Sequence, residues 1–218
     1  MQRGNNSMKL TREEAHNLLN EAAIMNPGKW VSHSEVVANI AERLADKLGL
    51  DKDKAYISGL LHDIGRRNGV TGNRHIIDGY TFLTELGHKD IARYCLTHSY
   101  FIKDLKYAYG KNDMTDEERK FTQDYLNNIE YDLYDKVVQL GDCMGLPEGI
   151  TILERRLMDV TLRYGVADFT IEDWQAKLRL QAEIEKLLGH SIYKIFPEVG
   201  EDISKQFIND LLKFWQIT

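Results

Sequence analysis

His62 and Asp63 stand side by side in GLLHDIGRR (59–67), directly after an apolar run and just before a glycine and two arginines. Imidazole and carboxylate both ligate divalent transition metals, and a carboxylate carried into an apolar surrounding is costly unless paired or metal-bound. A His-Asp dipeptide arises easily by chance, so its setting has to carry the weight. Four more residues share that setting. His33 lies on a helical face with Val36, Val37, Ile40 and Leu44, away from Glu42 and Arg43; His75 shares a face with Gly79. His98 continues the line of Ile91 and Cys95, and Asp142 follows Val138 beside Gly141. Ser58 and Gly59 precede His62 by four and three residues and so sit on its face, where small side chains let another element approach. Taken singly, each is an ordinary core histidine or a carboxylate near a helix end. Together, five separate segments deliver nitrogen or oxygen donors toward an apolar interior, which packing gives no reason to repeat. Imidazoles and carboxylates without a thiolate suit one or two ions of Fe, Mn, Ni, Co or Zn with open coordination positions, rather than a closed structural zinc. His16, His88 and His190 have polar or charged neighbours and no small-residue partner, and are set aside.

Positioning these donors requires helices. No Asn-Gly or Asp-Gly joins two alternating apolar runs, so strands are not expected. Helix starts recur as Ser or Thr followed three residues later by an acid: Thr11 with Glu14, Ser32 with Glu35, Thr115 with Glu118, Thr151 with Glu154, Thr170 with Asp173. Stops recur at Gly49, Gly65, Gly87, Gly165 and Gly189. The pattern predicts helices near 12–24, 33–48, 52–64, 75–86, 88–98, 116–128, 130–143, 148–164, 171–188 and 201–215. A first loop falls at 25–30, and a longer one at about 100–114 is long enough to be a flap. The expectation is an all-α fold and a single domain over 1–218, with a metal-binding core at about 25–145 and a C-terminal helical layer at about 146–218.

The rest of the composition bounds the setting. A formal net charge of −6 argues against binding a nucleic-acid polymer, which needs a basic surface. No stretch reaches the roughly 18–20 apolar residues of a membrane span, and MQRGNNSMKL lacks the apolar centre of a signal peptide. Cys95 and Cys143 form no paired spacing, so free thiols and a cytoplasmic location are expected.

The order His33, then His62-Asp63 in HDIG (62–65), then Asp142 resembles the HD-domain superfamily of metal-dependent phosphohydrolases, over about half the chain. HIIDG (75–79) is similar to the His-x-x-x-Gly segment of the subset that binds two metals, and CLTHS (95–99) to its later histidine. The resemblance implies an HD-like helical bundle. It also implies a first metal on His33, His62, Asp63 and Asp142, and a second on Asp63, His75 and His98, with Asp63 bridging. The implied reaction is cleavage of a phosphoester or phosphoanhydride in a nucleotide or other small phosphorylated metabolite, by a metal-activated water. Asp63 and Arg66 are the catalytic candidates. Arg66 replaces the lysine often found soon after His-Asp in nucleotide-cleaving members, and its planar fork suits bidentate phosphate contact. Arg66, Arg67, Arg74 and Lys103 lie within a few residues of the proposed ligands and are candidates to bind substrate phosphate, although arginines after a helix also meet its dipole. Trp30, Tyr80, Tyr100, Phe101, Tyr107 and Tyr109 form an aromatic-rich set that could stack a base. The Gly-Tyr-Pro signature of the cyclic-dinucleotide phosphodiesterase branch is missing from THSYFIKDLKYAYG. Two rivals stand beside hydrolysis. The same donor set resembles the di-iron oxygenases of this superfamily, and a non-catalytic metal- or nucleotide-binding module would carry closed coordination.

Overall fold

The computed structural model describes residues 9–200. Among them the helices are α1 (Arg12–Met25), α2 (Lys29–Leu48), α3 (Lys52–Leu61), α4 (Arg74–Glu85), α5 (Lys89–Thr97), α6 (Asp116–Asn128), α7 (Leu133–Met144), α8 (Leu153–Tyr164) and α9 (Thr170–Leu188). Short 3-10 turns occupy Ile64–Asn68, Leu105–Tyr107 and Ile192–Lys194. The fold is all-α, and the helix expected near 201–215 lies outside the described residues. No helix among the described residues is long and apolar enough to cross a membrane.

Local signals explain most of the helix starts. Thr11 and Thr115 form reciprocal capping boxes with Glu14 and Glu118. Asp132 forms another with Asp135 at the head of α7, an acidic version of the Ser/Thr signature. The other three starts differ from expectation. α2 begins at Lys29, so Ser32 lies inside the first turn and donates its hydroxyl to Lys29 O at 3.1 Å. α8 and α9 are capped by Ile152 and Phe169, without a side-chain bond. The helix expected from residue 148 is preceded by two two-residue strands, β1 (Gly145–Leu146) and β2 (Gly149–Ile150), paired antiparallel with Gly145 opposite Ile150. No alternating pattern announces so short a hairpin. It is held by Thr151 N donating to Met144 O at 2.8 Å and by packing of β1 on α2.

α2 packs against both α3 and α7 and divides the interior. Leu19, Leu60, Ile64, Leu83 and Tyr94 pack into one core; Ile40, Leu44, Leu140, Ile184 and Phe196 form a second, which joins α9 to α2 and α7. Burying each such side chain contributes about 1.5–3 kcal/mol before entropy is counted. One polar knot also ties helices together. Asp135 is fully buried; it accepts from Thr97 Oγ1 at 2.8 Å and from Asp132 N at 2.9 Å, and pairs with Arg93. Gln139 Nε2 donates to Thr97 O at 2.8 Å. These bonds lock the end of α5, and so His98, against α7, which carries Asp142.

Candidate metal centre

Two glycines set the spacing of the helices that carry the donors. A Cβ at Gly59 would lie 2.9 Å from Ala38 Cα, so only glycine lets α3 approach α2 this closely. A Cβ at Gly65 would lie 1.9 Å from His75 O and 2.5 Å from Gly79 N. Gly65 is therefore not a helix stop, as its position after an apolar run suggests. It is the contact that seats the first turn of α4 on the 3-10 turn after Asp63.

That framework gathers six side chains. His33 comes from the first half of α2, His62 caps the end of α3, and Asp63 follows with φ −103° and ψ 11°. His75 lies in the first turn of α4, His98 caps the end of α5, and Asp142 sits near the end of α7. His33 Nε2 lies 2.9 Å from Asp142 Oδ1, and His62 Nε2 lies 3.8 Å from the same oxygen and 3.9 Å from Asp63 Oδ2. Asp63 Oδ1 faces His75 Nε2 at 3.1 Å and His98 Nε2 at 3.7 Å.

Each imidazole is oriented the same way. Nδ1 of His33 meets Gly145 O at 3.2 Å, that of His62 meets Gly59 O at 2.6 Å, that of His75 meets Gly72 O at 2.6 Å, and that of His98 meets Cys95 O at 2.9 Å. A carbonyl can only accept, so Nδ1–H donates and the Nε2 lone pair of a neutral ring points inward. Burial drives the pKa of His62 down and that of His98 down to about 3, which favours the neutral, ligating form. Burial alone would raise the Asp63 pKa, but Arg66, His75 and His62 outweigh it and hold the carboxyl well below its usual range. Asp142 is likewise held down, against burial, by its contact with His33 and by His62 and His98.

This donor set fits divalent ions. His62 Nε2 and Asp63 Oδ1 are buried with no hydrogen-bond partner, which is expensive unless something else binds them. Donor atoms of His33, His62 and Asp63 lie within 4.8 Å of one another, as do those of Asp63, His75 and His98. Carbonyl-anchored imidazoles are the arrangement by which proteins fix a metal-binding tautomer.

The HD domain family matches residues 30–144. The chain belongs to this family. Among solved structures, it is similar to the HD domain of the L. monocytogenes phosphodiesterase PgpH, at 16% identity over 79% of this chain and 95% of that one, with a TM-score of 0.44. The same domain in complex with cyclic-di-AMP gives 18% identity, 79% and 97% coverage, and a TM-score of 0.42. No curated protein matches.

The cations expected around the site divide sharply. Arg66 belongs to it: Nε donates to Asp63 Oδ2 at 2.6 Å, Nη2 approaches His75 Nε2 at 3.3 Å, and the side chain lines a cavity of about 650 Å³ shared with the His/Asp cluster. The other three do not line that cavity. Arg67 lies 3.8 Å over the Phe82 ring, because a 3-10 turn of about three residues per turn points neighbouring side chains in different directions. Arg74 pairs with Asp78 and Glu118 at 3.3 Å each, and Lys103 donates to Ile129 O and lies over Tyr131. Of the aromatic set, Trp30, Phe101, Tyr107 and Tyr109 line the cavity. Tyr80 packs against Phe121 and Tyr125, and Tyr100 is a core residue. The excluded His16 is bonded to Tyr56 Oη at 2.9 Å.

Sequence reasoning missed the wall built by α8 and α9. Arg156, Arg163, Asp173 and Lys177 line the same cavity. In the sequence Asp173 stands out only as the acid three residues after Thr170 at a helix start, and Lys177 not at all. Only their burial singles them out.

Proposed function

We propose that this HD-domain protein is a metal-dependent phosphohydrolase that cleaves a phosphoester or phosphoanhydride of a small phosphorylated metabolite of nucleotide size. The observation that carries the reading is the pair of orphaned buried donors, His62 Nε2 and Asp63 Oδ1, at the centre of four inward-facing imidazoles and beside a cavity-lining arginine. His33, His62, Asp63 and Asp142 would hold one ion, and Asp63, His75 and His98 a second. Such ions, when bound, lower the pKa of water and neutralise phosphate charge.

The chain's own residues do the rest. Asp63 would supply carboxylate oxygens to the ions and keeps Arg66 in place through its Nε, and the guanidinium N–H groups beyond those facing Asp63 and His75 are available to phosphate oxygens. Arg66 is the arginine that touches the cluster, and it would be the protein's cation beside the reacting phosphorus. A cavity of about 650 Å³ falls in the range that encloses most of a nucleotide-sized ligand.

The test is hydrolysis of nucleotides, dinucleoside polyphosphates, cyclic dinucleotides and an aryl phosphate, with the products separated and identified and with Fe, Mn, Ni, Co or Zn supplied in turn. Turnover by the wild type, absent from a folded Asp63→Ala protein, supports the reading. No hydrolysis of any of these with any ion, together with dioxygen consumption by an iron-loaded protein, overturns it.

A further inference from the structure

The cavity has a second charged wall that the family match does not reach. Residues 30–144 contain all six donors, whereas Lys177 and Arg156 come from α9 and α8, beyond that match. Lys177 is 8% exposed and Asp173 4%, and Nζ donates to Asp173 Oδ2 at 2.7 Å. A buried ion pair is weak grounds for stability, since apolar residues of similar volume hold helices together as well or better. Packing therefore does not account for this one.

The geometry around it is that of a binding site. An ammonium has three N–H donors, and Asp173 takes one. The same Nζ lies 5.0 Å from the Phe101 ring centre and 5.6 Å from that of Tyr109, and all three side chains line the cavity. Arg156 lies on the same wall with Nη1 held by Asp159 at 2.8 Å. Burial by itself lowers the Lys177 pKa, but its surroundings, the bonded Asp173 carboxylate among them, hold it above the usual amine value. A fixed cation, two aromatic rings within about 6 Å of it and a shared cavity with the His/Asp cluster suit a flat, doubly anionic molecule.

We propose that Lys177, oriented by Asp173, near the Phe101 and Tyr109 rings and lining the same cavity as Arg156, binds a second phosphate of a nucleotide whose reacting phosphate lies at the His/Asp cluster. The inference rests on the hydrolytic reading for the place of the reacting phosphate, but its test does not depend on turnover. Adenosine 3′,5′-bisphosphate and AMP share base and ribose and differ by one phosphate. Their affinities for the chelator-treated protein are measured by calorimetry, for the wild type, for Asp173→Asn/Lys177→Gln and for Lys177→Arg. The double variant removes both charges, so no lone ion is left buried, and melting curves check its fold. A ratio of two affinities within one protein is insensitive to the fraction folded.

The expected result is a preference of about tenfold or more for the bisphosphate in the wild type, the size of one charge-assisted contact, retained in Lys177→Arg and reduced toward one in the double variant. Equal affinities in the wild type, or an unchanged preference in the double variant, overturn the proposal. A wild type that shows the preference but hydrolyses no phosphate would overturn the hydrolytic reading and leave the second anion site standing.

Discussion

Replacing Gly65 with alanine probes the contact that places His75. The added Cβ would meet His75 O at 1.9 Å, the His75 carbonyl carbon at 2.8 Å and Gly79 N at 2.5 Å, all backbone atoms that no rotamer change can move. Ordinary contact begins near 3.4 Å, so the first turn of α4 has to retreat by roughly 1.5 Å. Overpacking typically costs about 1–3 kcal/mol, and because rigid backbone must shift here, the upper end applies. At about 2–4 °C per kcal/mol for a chain of this size, the melting temperature falls by roughly 6–12 °C. His75 Nε2 moves with its helix away from Asp63 Oδ1, now 3.1 Å distant. Metal bonds tolerate only about 0.2 Å, so on the proposed ligand sets an ion on Asp63, His75 and His98 would be lost while one on His33, His62, Asp63 and Asp142 would be kept. Calorimetry and metal analysis by mass spectrometry, against Gly200→Ala, where a Cβ meets nothing within 4 Å, provide the readouts. A Gly65→Ala protein that melts with the wild type and carries the same metal would refute the reasoning that this glycine seats α4.

Other perturbations have defined outcomes. Asp135→Ala removes a buried carboxylate that serves Thr97, Arg93 and Asp132 N, and urea denaturation should show a loss of about 3–5 kcal/mol; a loss under about 1 kcal/mol would mean the knot contributes little. Thr115→Ala removes the capping box of α6 and should cost about 1 kcal/mol by the same method, with no change in metal content. Adding Mn or Zn to chelator-treated protein at a hundredfold excess over Kd should stabilise it by about 2.7 kcal/mol per site, and no shift in melting would argue against binding by the folded cluster. Arg66→Lys should lower kcat/KM on any phosphoester turned over by about 10–100-fold with metal content preserved, because a point charge replaces a fork; unchanged kinetics would remove Arg66 from phosphate contact.

Short-range rules made several features legible. Helical periodicity and the Thr11 and Thr115 boxes depend on residues within one or two turns, and both boxes form. The six donors were visible because each stands among small or apolar residues on its own helical face, a local sign of burial. The directions of Arg67, Arg74 and Lys103 were not, because closeness in sequence to a ligand does not fix where a long side chain points, and each found a nearer ring, carboxylate or carbonyl. The hairpin at 145–150 was hidden for a related reason: two-residue strands carry no pattern and exist only because β1 packs on α2.

The sequence by itself determined which residue types were available for chemistry, on which faces of which helices, and that they amounted to a set of nitrogen and oxygen donors. Tertiary structure decided their convergence, the inward turn of each Nε2 and the choice of Arg66 over its neighbours. It also made Asp173 and Lys177, four apart on α9, a buried part of the cavity wall. The physical reason is that periodicity records only local exposure, whereas distances between remote donors follow from how closely backbones approach, and here that is set by contacts such as Gly59 on Ala38 and Gly65 on His75.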